Sequence, residues 1–210
     1  PMMGLAGLLC ALCFSGLFAM ERKGGMDEIL ACTPLGRKYT VKAKLRQSTA
    51  VAAVISFGTV LPHLWQVLRD YGLPSLLGPA MSISDLQAVP KFITLSDLLI
   101  FWLICRFAAC LCMSRITLWL GQKLVNLLTA LFISAVTYCL PALLSLSGMK
   151  NGIEWLGFYP LFHAAALWQN QGYTADGKSY NAMWIPIFLV CAAFFLAWAI
   201  GQALIDDYDM

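Results

Sequence analysis

Long apolar stretches separated by short polar ones set the pattern of this chain. Runs of about 18 or more apolar residues predict membrane-spanning helices. Five such runs occur, at approximately Met2–Met20, Ser48–Leu68, Leu98–Trp119, Leu124–Leu146 and Met183–Ile205. A helix satisfies its own backbone polar groups where water is absent, so the pattern predicts an all-α integral membrane fold, a polytopic bundle of about five transmembrane helices. A membrane β-barrel would instead show short segments of strictly alternating character, and none appear.

Composition strengthens this picture. The chain is 60% hydrophobic and only 12% charged, with a mean hydropathy of +0.74, whereas about a quarter of a soluble domain is charged. Eight cysteines do not change it: seven fall inside the apolar runs and Cys32 in a connector, so buried free thiols are expected rather than the disulfide framework of a small secreted domain. Cys105, Cys110 and Cys112 do not share a helix face with histidines, which argues against a metal site. No basic patch interleaved with exposed aromatics and no Gly-rich phosphate loop suggests nucleic acid as a partner.

The net charge of +3 conceals where the charges sit. The connector 21–47 carries Arg22, Lys23, Arg37, Lys38, Lys42, Lys44 and Arg46, half of the 14 Lys and Arg residues. Positive charge in short loops marks the cytoplasmic side. The connector and the C-terminus, with Asp206, Asp207 and Asp209, are therefore expected in the cytoplasm, and the loop 69–97 and the region 147–182 outside. The first run then crosses from outside to inside, and it has neither a basic leader nor a signal-peptide cleavage site. That start, and the opening Pro1, predict the C-terminal part of a longer protein with an earlier span. A trimmed terminus or an N-out insertion is the other reading.

The connector has structure of its own. Gly24 and Gly25 should break the helix leaving the membrane, and Asp27 and Glu28 suit the first turn of a short helix, where acids meet the positive end of the dipole. Thr33 and Pro34 form a helix-start signal, the threonine as N-cap and the proline at the first helical position. A second helix is expected from Pro34 toward Lys44, with Gly36 its weak point, feeding the next span. Its basic residues can reach anionic headgroups. The loop 69–97 is rich in breakers, and the region 151–184 is rich in Trp, Tyr and Phe, as interfacial segments are.

Little in the chain could do covalent chemistry. His63 and His163 are the two histidines and lie on different loops. Neither HExxH nor GxSxG occurs, and no acid lies deep in a run, so no catalytic, metal or cofactor-binding residue is expected. The one deep charge is Arg106. Such a residue marks function by default: it could pair with a segment elsewhere, face a water-filled cavity, or cap carbonyls of a broken helix. The plainer reading is a side chain that snorkels from a shifted helix. Ser56, Thr59, Ser134, Thr137 and Tyr138 could line a pathway, but such residues more often hydrogen-bond between helices. Phe101 and Trp102 read as packing.

The segment MERKGGMDEILACTPLGRKYTVKAKL, residues 20–45, resembles the first cytoplasmic loop of type-2 ABC transporter permeases (ABC-2), the membrane halves of ATP-driven exporters. The matching positions are Glu21, Arg22, Gly25, Glu28, Ile29, Leu30, Thr33, Pro34, Leu35, Arg37 and Lys44, and Asp27 lies among them. The resemblance implies that this loop is a coupling helix seated on a separate ATP-binding subunit. It also implies that the five runs are the second to sixth spans of a six-span permease, and that 147–182 is its last external helical element. ATP and Mg would belong to the partner subunit, and a second permease copy or a related permease would complete the pathway. A secondary transporter or a multispan scaffold without an ATPase is the alternative.

Overall fold

The structure is a computed structural model that describes residues 6, 9–16, 21, 24–25, 32, 36–72, 76–79, 93–124, 126–146 and 180–206. These residues are mostly helical and include no strand. After helical residues 9–16, five helices follow: α1 Gly36–Gly58, α2 Leu61–Tyr71, α3 Leu95–Lys123, α4 Leu127–Leu146 and α5 Tyr180–Asp206. Two helical stretches, Leu95–Lys123 and Ile187–Asp206, are long and apolar enough to cross a membrane.

The apolar run 48–68 is not one helix. α1 begins at Gly36, well inside the basic connector, and continues without interruption to Gly58. It stops at the turn Thr59–Val60, and α2 starts with Pro62 in its first turn. The cause is local. Pro62 has no N–H to give the carbonyl of Gly58, and its ring collides with that carbonyl in a continuing helix. Glycine weakens the last turn further. The backbone tightens instead, with Val60 N donating to Phe57 O at 3.0 Å. α2 then ends at Gly72, whose φ of 74° lets its N–H close on Leu68 O at 3.0 Å.

The chain returns to the bundle through one antiparallel bridge between Pro79 and Thr94, supported by Leu95 N donating to Gly78 O at 3.0 Å. Thr94 begins α3 with a reciprocal cap. Its hydroxyl accepts from Asp97 N, and the Asp97 carboxylate accepts from Thr94 N. This pairing satisfies two of the donors that a helix start leaves open. The Thr94 hydroxyl also holds the Asp97 carboxyl below the usual carboxylate range.

α3 is the axis of the bundle. It packs extensively against α1 and α5 and also contacts α4. Residues 6–16 contribute Ala6, Cys10 and Phe14 to the same core as Cys105, Ala108, Ala109, Cys110, Cys112 and Met113 of α3. From α5 come Val190, Ala193, Ala197 and Leu204. Phe107 meets Phe194 with ring centroids 6.2 Å apart, and the Cys112 thiol donates to Ala193 O at 2.9 Å.

Among the described residues the interior is built largely from small side chains, several of them hydroxylated, while large apolar side chains face outward. Ser15, Ser48, Ser56, Ser114, Thr117, Gln122 and Ser134 are buried, whereas Val54, Trp65, Leu128, Phe132, Phe188, Phe195 and Trp198 are exposed. Water would favour the reverse. In lipid the outside can be apolar while small residues let helices approach, so the arrangement suits a bilayer solvent. The hydroxyls fit it too: Ser15, Ser48, Thr49, Ser114, Thr117, Ser134 and Thr137 each donate to a carbonyl three or four residues earlier. Such back-bonding satisfies these hydroxyl donors where water is scarce, whereas the buried Ser56 hydroxyl has no hydrogen-bond partner among the described residues.

Candidate functional site: a connector joined to a latched helix pair

Two polar features organise the α1 side of the molecule. The first closes the connector. Glu21 follows the first helical stretch, and its carboxylate pairs with the Lys44 ammonium on α1. Lys44 is buried although it is a lysine, because positions 41, 44, 45 and 48 form the inner face of α1. Gly25, at a φ of 66°, sits in the turn Gly24–Gly25 between the two partners. That left-handed conformation costs a residue with a Cβ and suits glycine. The two ends of the 21–47 segment are thus tied to each other, and its second half is helix.

Of the residues singled out in the connector, Glu21 and Gly25 lie in this arrangement. The backbone of Arg37 lies in α1. Arg22, Asp27, Glu28, Thr33 and Pro34 lie outside the described residues, as do the regions 80–92 and 147–179, including His163.

The second feature joins α1 to α3. Arg106, the deep charge in the sequence, is only 1% exposed. Its Nη2 donates to Thr59 Oγ1 at 2.7 Å, and its guanidinium lies 5.4 Å from the centre of the Trp102 ring. A guanidinium over an indole face is favourable by about 0.5–2 kcal/mol, more as it is desolvated. Thr59 in turn donates to Ile55 O at 2.7 Å, and Ser56 O lies at 3.2 Å from the same hydroxyl. Arg106 therefore engages the break in the second run through the threonine whose hydroxyl covers the frayed carbonyls.

Nine residues further along α3, Arg115 Nη2 donates to Thr49 Oγ1 at 2.8 Å. The pairs 106–59 and 115–49 run in opposite directions along the two helices, so α1 and α3 are antiparallel. Each link is a charge-assisted hydrogen bond, about twice as strong as a neutral one. No protein-family profile, no curated protein and no solved structure matches this chain. The site must therefore be weighed on its own geometry.

Its chemistry is that of fastening and attraction. Among the described residues no group of three or more His, Cys, Asp or Glu could hold a metal ion. Asp97 is occupied by the α3 cap rather than by Arg106, although both lie on the same helix. Nothing in the sequence alone pairs Arg115 with a partner; the arginine-to-threonine register is visible only with α1 and α3 side by side. Trp102, expected as packing, also carries a cation on its ring. The signal that could have found the pair is the spacing itself, since Thr49 to Thr59 nearly matches Arg106 to Arg115.

Proposed function

We propose that this chain is the transmembrane permease subunit of an ATP-driven exporter of the ABC-2 type, placed as a multi-pass protein in the cell membrane with the 21–47 connector and the C-terminus in the cytoplasm. The observation that carries the reading is the continuity of α1, which runs as one helix from the connector at Gly36 into the bundle at Gly58. A force applied to the connector is delivered along that helix. The Glu21–Lys44 pair closes the connector, and the links to Thr49 and Thr59 pass motion on to α3. In this mechanism a separate ATP-binding subunit supplies the force by closing on ATP, and two membrane halves enclose the pathway. This chain supplies the lever and part of the wall.

The resemblance of residues 20–45 to a coupling loop supports the same reading, and the large apolar side chains on the surface support placement in lipid. The test is purification of the full chain from its native membrane. A stoichiometric ATP-binding subunit, with ATP-dependent transport that is lost in Glu28→Ala or Arg37→Ala while the complex still assembles, is the expected result. Transport driven by an ion gradient with no ATPase bound would replace this reading with a secondary transporter.

A further inference from the structure

The outward face of α1 changes character along its length. Ala50, Val54 and Phe57 are exposed and apolar, and the same side continues through Arg46 and Lys42 to Tyr39, all exposed. Lys42, Arg46 and Thr49 follow one another at helical spacing, so they share one flank of α1. Arg115 reaches that flank from α3, because its Nη2 binds Thr49. Its Nη1 is buried and has no hydrogen-bond partner among the described residues. One turn beyond Arg115, the partly exposed Trp119 falls opposite Arg46 in the antiparallel register set by the two arginine links. Three cations, an open guanidinium donor and an indole thus gather where the apolar face of the α1–α3 pair ends, roughly 16 Å along α1 from Phe57 at ~1.5 Å per residue.

We propose that Lys42, Arg46 and Arg115 form a binding site for the headgroup of an anionic phospholipid on the connector side of the α1–α3 seam, with Trp119 beside it. The continuous apolar strip Ala50–Phe57 selects lipid over an acidic protein surface. Acyl chains lying along that strip bring their phosphate to the level of Arg46. A guanidinium and an ammonium then provide the fork and the point charge that phosphate accepts, and indole rings favour that depth. The site rests on the membrane placement and is independent of any ATP-binding partner.

The test uses the purified full chain in a neutral detergent, titrated separately with phosphatidylglycerol, phosphatidylcholine and inorganic phosphate, with bound lipid counted by native mass spectrometry and melting followed in parallel. Phosphatidylglycerol should bind saturably and raise the melting temperature, and the other two should not. K42Q/R46Q and R115Q should each weaken phosphatidylglycerol binding, by about fivefold per charge removed. R69Q, an exposed position on α2 beyond the Thr59–Val60 turn, should leave it unchanged. The proposal is overturned if phosphatidylcholine or inorganic phosphate acts equally well, or if K42Q/R46Q binds phosphatidylglycerol like the wild type. Should R115Q fail to fold, K42Q/R46Q decides alone, since both of its positions are exposed.

Discussion

Helices α3 and α4 are neighbouring apolar helices with opposite surroundings. α3 is buried along much of its length by α1, α5 and the first helical stretch, and its inner positions are mostly Ala, Cys, Ser, Thr and Gly, with Met113, Leu118, Gln122 and one arginine. α4 makes its main helix contact with α3 and exposes Leu128 and Phe132, turning Ala130 and Ser134 inward. α4 is the more apolar of the two, yet it is the more exposed. What separates them is where the small and hydroxylated side chains fall, because lipid offers large apolar side chains nothing that a neighbouring helix does not also offer. In this molecule hydropathy reports the solvent, and small residues report the partners.

Substitutions can break that contrast, and the largest effect is expected at the α3 seam. Ala108→Phe pushes a ring into a fully buried position and should cost about 1–3 kcal/mol or prevent folding, as overpacking does. Unfolding in detergent micelles checks it, and a neutral result would mean that the α3 interior is looser than its burial indicates. Thr59→Val comes next. It removes an oxygen that a buried guanidinium uses, a loss of about 1.5–3 kcal/mol for a charge-assisted bond, and the same melt should show it. Phe132→Ala on the outer face of α4 should fall within about 0.5 kcal/mol, in line with exposed positions elsewhere; a cost above 1.5 kcal/mol would show that a partner covers this face.

The smallest effect concerns pH at the start of α3. The Asp97 carboxyl is held below its ordinary range by Thr94, so its cap is at full strength above the unfolded carboxylate pKa and is lost as pH falls through the lowered folded value. Amide hydrogen exchange of residues 95–98 should quicken in acid, and Asp97→Asn should remove most of that dependence. Equal acid sensitivity in the variant would assign it to another group.

The sequence made the helical, lipid-suited character of the chain legible, because that character resides in runs long enough to survive local exceptions. It also marked Arg106, since a charge inside such a run is conspicuous. It did not reveal the partner of Arg106. Thr59 and Trp102 carry no charge of their own, and bringing Thr59 to Arg106 depends on how two helices 47 residues apart align. The elbow at 58–62 was hidden for another reason: glycine and proline are both tolerated within membrane helices, and the surrounding apolar residues continue on both sides. The Thr94–Asp97 box is present in the letters as T-L-S-D, but it carries aspartate where a capping box usually carries glutamate or glutamine.

The elbow has a bearing on how the protein is made. From Ser48 to Gly58 the second apolar run provides roughly 16 Å of helix before it is interrupted, about half of the ~30 Å hydrocarbon layer. A translocation machine meeting this piece first would gain little by releasing it sideways into lipid. Its settlement should wait until α3 emerges from the ribosome and presents Arg106 to Thr59. The check uses single cysteines introduced at positions 50–58 of a chain otherwise stripped of cysteine. A nascent chain stopped at residue 92 should leave them reachable by water-soluble thiol reagents, and one extended past 123 until α3 has left the ribosome should shield them.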